Sequence, residues 1–411
     1  MAAATSLPAV TPRAKLPSSL CSGTDPAMTD ATASNLPVLD ADEILAGITR
    51  WVEIETPSHD GAAVNTLVDM VEGDLRRLGA RVDRIPGRDG FGDVLEAEAP
   101  WGDPDEKGIL VLGHLDTVHP IGALATTHRV RREGDTVFGP GIYDMKAGSF
   151  MGYYALQHII RSGRTTPLPI RFLYIPEEEV GSPTSRARIE AAARKAKYAL
   201  VLEPARDGNK CVTGRKGVGR FEMRITGRAA HAGMRHQDGR SAIREAAHQI
   251  LAIEAMTDYA TGVTTNVGLI SGGSGVNVVP AQCHLDIDLR VPTPELADSV
   301  TARILGLTAQ DPDCVVEVSG GMNRPPYGKS AEIAHLFAQA RALAAEIGYD
   351  LQDVPLTGGG SDGNFTAALG VPTLDGLGAD GRGAHALDEQ IRYSSLVPNT
   401  RLIVRLLETL R

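Results

Sequence analysis

Residues 109–117 read Ile109-Leu110-Val111-Leu112-Gly113-His114-Leu115-Asp116-Thr117: four apolar residues without a break, a glycine, then two residues able to do chemistry. A strand with water on one face alternates apolar and polar residues. A run with no polar position is covered on both faces, as in the parallel sheets of α/β folds. Similar short runs follow at Ile170–Ile175, Tyr198–Leu202 and Val371–Leu374, each bounded by Gly or Pro. Between them, Ala147–Ile160 and Ser185–Lys195 carry the 3.6-residue period expected of crossover helices. Upstream, Asp40 with Glu43 three residues on predicts a helix N-cap with a capping-box partner, ahead of Ile44, Ile48, Trp51 and Val52. A second helix follows from the spacing of Val64, Leu67, Val68, Val71, Leu75 and Leu78, and Gly79 stands where a C-cap belongs.

The texture changes between 214 and 326. Phe221–Ile225 reads as a strand, Ser241–Met256 as a helix, and Thr264–Ile270 and Ala281–Arg290 as strands. Pro294–Leu307 reads as a helix and Cys314–Val318 as a last strand. That order, βαββαβ, is the split βαβ pattern of a small two-layer domain. After Tyr327 a long helix at Ala331–Ile347, a Gly-rich loop and a closing helix return to the first texture. The expectation is therefore an α/β catalytic domain, with helices on both faces of a mostly parallel sheet, over 38–213 and 327–411. A βαββαβ lid and dimerisation domain is inserted at 214–326, and a disordered tail covers 1–37, or a start upstream of a true one at Met28.

Composition narrows the function. Acidic residues outnumber basic ones by 51 to 41, with no long Lys/Arg cluster, so a nucleic-acid phosphate backbone is a poor partner. No stretch approaches 18 uninterrupted apolar residues, so no membrane span is expected. The four cysteines (Cys21, Cys211, Cys283, Cys314) show no CxxC spacing and read as buried thiols of a reducing compartment, hence a cytoplasmic address.

Five segments place acidic or imidazole side chains where strands or loops end, the usual place for sites in open α/β sheets. His114 and Asp116 project to one face of an extended segment, so Asp116 can hold one ring nitrogen of His114 while the other meets a metal. Asp144 lies in the glycine-rich turn 139–148, Glu177-Glu178-Glu179 close the strand 170–175, Glu203 closes the strand 198–202, and His385 sits in 381–389. Each alone also fits a plain structural role: a loop histidine, a helix N-cap, a solvated acidic loop. Together they supply two imidazoles and several carboxylates, a donor set suited to zinc, with cobalt or manganese possible. No mononuclear site needs five such ligands, whereas two ions sharing one carboxylate would use all of them.

Taken in order, GHLDTV, GPGIYDMKAG, PEEEVGS, LEPA, AAHAG, GGGSDG and GAHALDE resemble the motifs of the co-catalytic zinc exopeptidases, the family of glutamate carboxypeptidases, aminoacylases, acetylornithine deacetylase and di- and tripeptidases. The resemblance runs from about Asp40 to the C-terminus, and its spacing is most similar to the folate-cleaving glutamate carboxypeptidases. It implies two zinc ions, with His114 and Glu203 on one, Glu179 and His385 on the other, and Asp144 bridging. It further implies Glu178 as general base, Asp116 as partner of His114, and a non-proline cis bond at Asp144–Met145. His231 would be a lid histidine reaching the active site of a second subunit, making a homodimer the catalytic unit. For a free substrate carboxylate, Arg290 and Arg324 are candidate clamps, with Asn277 and the backbone around Gly360 as neighbours. The expected activity is removal of a C-terminal glutamate or similar residue from a small peptide or N-acyl amino acid. The alternatives are an N-acyl amino acid deacylase and a non-catalytic binding relative, which should have lost a ligand or the base.

Overall fold

Asp40 accepts from the backbone N–H groups of Asp42 and Glu43 and so caps the first helix of the computed structural model, which describes residues 38–411 apart from 127 and 207. The expected disordered tail, and Cys21 with it, lie outside the described residues. The capping box is not formed. Glu43 turns away to accept from the Tyr154 hydroxyl at 2.6 Å and from Arg161 at 2.9 Å, because two donors on a packed neighbouring helix outcompete one backbone N–H.

The first part of the chain runs α1 (Ala41–Val52), α2 (Gly61–Arg77), β1 (Arg81–Ile85), β2 (Val94–Glu98), β3 (Gly108–His114), β4 (Arg131–Glu133), β5 (Thr136–Phe138), α3 (Ala147–Arg161), β6 (Ile170–Ile175), α4 (Arg186–Arg194), β7 (Ala196–Val201) and β8 (Cys211–Val212). Then come β9 (Gly217–Thr226), α5 (Ala242–Glu254), β10 (Thr264–Gly272), β11 (Gln282–Val291), α6 (Pro294–Leu305) and β12 (Val315–Arg324). The chain closes with α7 (Ala331–Glu346), β13 (Asp353–Val354), α8 (Gly363–Ala368), β14 (Thr373–Leu374), β15 (Gly381–Arg382), β16 (Gln390–Arg392) and α9 (Leu396–Thr409). Gly79, at φ +82°, follows α2 and lets Ala80 N–H reach the Leu75 carbonyl, as a C-terminal glycine should.

The larger sheet has the order β1-β2-β6-β3-β7-β14. The strands β6, β3, β7 and β14 are parallel, and β1 and β2 add an antiparallel edge. Every residue of β3 is buried, and its alternate side chains enter different cores. Ile109 and Val111 pack among residues of α1, α2, α3 and α9, whereas Leu110 and Leu112 pack with Ile189 and Ala193 of α4 and Phe365 of α8. Helices therefore cover both faces, and the carboxyl ends of β3, β6 and β7 leave that double cover at one edge.

The second sheet, β10-β11-β9-β12, is antiparallel throughout. Phe221, Met223 and Ile225 of β9 pack beneath α5 and α6, while Arg220, Glu222 and Arg224 face outward, giving two layers. Arg215 and Tyr327 exchange backbone hydrogen bonds where the chain passes between the two sheets in each direction. Cys211, Cys283 and Cys314 are free and buried. Among the described residues no helix is long and apolar enough to cross a membrane.

Candidate metal centre and active site

His114 is the last residue of β3, and its ring divides two environments. Nδ1 faces Asp116, with the backbone carbonyl at 3.0 Å and the carboxylate at 3.3 Å, and Nε2 faces the Asp144 carboxylate at 3.2 Å. The second oxygen of Asp144 lies 3.5 Å from Nε2 of His385, so one carboxylate stands between two imidazoles. Beyond it, Glu203 comes within 3.9 Å of His114, and Glu179 within 2.9 Å of His385. Two ligands of one tetrahedral zinc, each about 2.0–2.1 Å from the ion, stand roughly 3.3 Å apart. These separations fit that spacing.

Local structure explains why the groups converge. Asp144 follows Gly141, at φ +66°, and precedes α3 through a cis Asp144–Met145 bond, as the resemblance implies. His385 occupies the left-handed region at φ +66°, which turns its ring towards Glu179. Asp116 also accepts from the Ser58 hydroxyl and from the backbone N–H groups of Glu178 and Glu179, tying the end of β3 to the acidic segment after β6. Glu177 is buried and takes four hydrogen bonds from Thr184 and Ser185, two backbone and two hydroxyl. It anchors that segment while its two neighbours enter the site.

The electrostatics show what the cluster would hold. Burial, reinforced by Asp144, pushes the Glu179 carboxyl up to about 8 and that of Glu203 well above the usual range. Burial opposes charge on His114, but hydrogen bonds to Asp116 and Asp144 outweigh it and raise its pKa well above the ordinary value. Hydrogen bonds to Asp144 and Glu179 raise His385 to about 10. Burial also opposes ionisation of Asp144, yet the two histidines outweigh it and hold its carboxyl low. One oxygen of Glu179 is buried with no hydrogen-bond partner among the described residues. Packed carboxylates that repel one another, with an orphaned oxygen among them, suit cations, and a nitrogen-and-oxygen donor set of this kind suits zinc.

Glu178 lies among these groups, each of His114, Glu178 and Glu203 offering an atom within 4.8 Å of the others. Its carboxylate also accepts from Arg324 at 2.6 Å. Arg324 is only 4% exposed, donates further to Asp362 at 3.0 Å, and keeps a buried Nε without a partner among the described residues. A cavity of about 280 Å³ joins the carboxylates to a second wall of four arginines, Arg206, Arg220, Arg290 and Arg324, and to Gly360. Arg290 pairs with Asp288 and reaches the Gly358 carbonyl at 3.3 Å. A Cβ at Gly360 would come within 2.8 Å of Arg324 and Val218, so a side chain there would crowd the wall.

The structure does not bring His231 or Asn277 to this cavity. The two lie side by side on an exposed part of the second sheet's loops, where Ala232 N–H donates to the Asn277 carbonyl. Nδ1 of His231 accepts from the N–H groups of Gly233 and Met234, which leaves Nε2 free to donate outward. Sequence reasoning missed Asp362, Arg206 and Arg220. Asp362 stands inside GGGSDG, and Arg206 follows LEPA, so each adjoins a motif already singled out; Arg220 is one of several charged residues on an alternating strand and carries no separate signal.

The family model for peptidase family M20/M25/M40 matches residues 110–409. Carboxypeptidase G2 of Pseudomonas sp. (strain RS-16) is 29% identical over 361 residues, covering 86% of each chain. An uncharacterized protein, YqjE of Bacillus subtilis (strain 168), is 25% identical over 73% of this chain and 80% of its own. Among solved structures, the M20 family metallo-carboxypeptidase Sso-CP2 from Sulfolobus solfataricus superposes with a TM-score of 0.69 at 18% identity, over 90% of this chain and all of that one. Aminopeptidase PepT from Bacillus cereus ATCC 10987 gives 0.71 at 21% identity, over 90% and 98%. These two likenesses show the fold.

Proposed function

The chain belongs to peptidase family M20/M25/M40, and from that premise we propose that it is a two-zinc carboxypeptidase releasing a C-terminal glutamate or similar amino acid from an N-acyl or peptidyl donor. The observation that carries this reading is the Asp144 carboxylate, with one oxygen towards His114 and the other towards His385. On it, His114 and Glu203 would hold one ion and His385 and Glu179 the other, with Asp144 available to both. Cobalt or manganese could occupy the same donors. Zinc there would supply Lewis acidity towards the scissile carbonyl and lower the pKa of a water.

The protein's own groups do the rest. Asp116 orients the His114 ring. Glu178 takes a proton from the attacking water and returns it to the leaving amine, a general base contributing about 10²–10⁴-fold. The arginine wall of Arg206, Arg220, Arg290 and Arg324 grips the free carboxylates of the departing amino acid. Glutamate, with two carboxylates, uses such a wall more fully than a neutral residue. Gly360 keeps the wall open, and Asn277 lies with His231 outside it.

We read 214–326 as a lid and dimerisation module. The edge strand β10 exposes Leu269 (67%) and Ile270 (56%), and α5 beside it exposes Leu251. Apolar residues on an open strand edge favour pairing with a second copy. Such a dimer supports a role for His231 as an oxyanion donor to the other copy's site, since its free Nε2 faces outward.

The test is to follow glutamate released from benzoyl-glutamate and, in parallel, acetate released from N-acetylornithine. Glutamate release that a chelator stops and zinc restores is the expected result. Acetate release alone would move the assignment to the deacylases, and neither, from zinc-loaded protein, would favour a non-catalytic relative.

A further inference from the structure

Glu389, four residues beyond His385, is fully buried and has no role in the chemistry described above. One of its oxygens accepts from the backbone N–H groups of Tyr143 and Asp144, at 2.8 and 2.9 Å. The other accepts from Gly141 N–H at 2.8 Å and from Nε2 of His119 at 2.5 Å. Its own carbonyl accepts from Gly139 N–H. Four donors fill the acceptor capacity of one carboxylate, which is what a buried carboxylate needs. Three N–H groups of one turn, those of Gly141, Tyr143 and Asp144, converge on this anion as in a backbone nest.

The three segments tied in this way are those that carry the candidate ligands: 114–119 through His119, 141–144 through the nest, and 385–389 through Glu389 itself. His119 is buried as well, and its ring packs edge-on against that of His128, with centroids 4.8 Å apart. Resting on the proposed metal centre, we propose that Glu389, with His119 as its outer partner, is a positioning residue that fixes Asp144 and His385 relative to each other and so sets the affinity and geometry of the bound metal pair. Asp144 is held from behind at its own N–H while its carboxylate faces both histidines. His385 is held by a loop whose end is the same carboxylate. Without the tie, each ligand could move independently of the other.

A Glu389→Gln substitution keeps the volume but presents an NH₂ to Gly141 N–H and to the His119 ring, where an acceptor is required. His119→Leu removes one donor and leaves the nest. The experiment titrates the metal-free full-length chain, wild-type and both variants, with cobalt followed by visible absorption, and with zinc against a competing chelator. Thermal unfolding of each metal-free protein is measured alongside. The expected result is zinc affinity about 10- to 100-fold weaker for Glu389→Gln, a smaller loss for His119→Leu, and cobalt bands altered in both. Wild-type affinity and unchanged cobalt spectra would overturn the proposal, even with lowered unfolding midpoints, because a merely structural group lowers the midpoint without altering the spectrum. If Glu389→Gln fails to fold, His119→Leu decides. Failure of wild-type protein to bind either metal would instead overturn the metal centre on which the inference rests.

Discussion

Asp144, Glu178 and His385 lie far apart in sequence, yet each was recognisable because it stood in a motif whose neighbours explain its placement. Glu178 follows an apolar strand, Asp144 a pair of glycines, and His385 a glycine two residues earlier. Asp362, His119 and Glu389 were not recognised as site-builders, because their partners are distant in sequence. Asp362 meets Ser182 at 2.5 Å, and Glu389 meets His119 at 2.5 Å, contacts that no local pattern encodes. At this scale, Glu178→Gln should reduce kcat by about 10²–10⁴-fold while metal content stays at the wild-type level, which stopped-flow rates and elemental analysis would check. Metal uptake should also depend on pH. Glu179, raised to about 8 from 4.5, and His385, raised to about 10 from 6.5, both keep protons at neutral pH in the metal-free protein, and a metal requires them gone. Apparent zinc affinity should therefore rise with pH across that interval, with proton release visible by calorimetry in buffers of different ionisation enthalpy. Both folded-state values exceed the unfolded ones, so the stability these groups lend the metal-free protein is complete at low pH. It declines from about pH 4.5 for Glu179 and 6.5 for His385 and is lost by about 8 and 10.

Among the elements, the buried strands were legible to within a few residues, because an uninterrupted apolar run leaves little choice. The alternating strands of the second sheet were legible too, since period two is visible in Phe221, Met223 and Ile225. The antiparallel edge β1–β2 was not. Arg81-Val82-Asp83-Arg84-Ile85 is mostly polar, and its strand character comes from pairing with Val94–Glu98 rather than from its own composition. The four short strands β15-β16-β5-β4 were missed for a related reason: each has two or three residues, too few for a period to show. One close approach between elements yields a prediction. A Cβ at Gly148 in α3 would lie 1.9 Å from the Leu202 carbonyl, beside Glu203. Because the obstacle is backbone, the loop must shift. Gly148→Ala should destabilise the protein by about 1–3 kcal/mol and weaken metal retention, as urea unfolding and elemental analysis would read.

For the whole molecule, two sheets share one chain that crosses between them twice, at Arg215 and Tyr327. Arg215 is fully buried, pairs with Asp375 through two hydrogen bonds, and donates to the Gly359 carbonyl, so the crossing also braces the loop before Gly360. The change of texture at 214 and 326 anticipates the second, antiparallel sheet, but the pairing of Arg215 with Tyr327 joins residues 112 positions apart, beyond what periodicity reports. If a second copy pairs at β10 as proposed, Leu269→Lys combined with Ile270→Lys should give a monomer by light scattering. That monomer should retain its zinc and lose most of its activity, whereas full activity as a monomer would separate His231 from the reaction. Two metal ions, held by Asp144 and the four ligand side chains around it, would make this cavity a hydrolase. The most direct measurement strips the protein with a chelator, adds zinc in known equivalents and follows glutamate release from benzoyl-glutamate. The stripped protein should release no glutamate, and release should rise to a plateau at two equivalents of zinc per chain. Undiminished release after stripping, or a plateau at one equivalent, would contradict the two-ion reading.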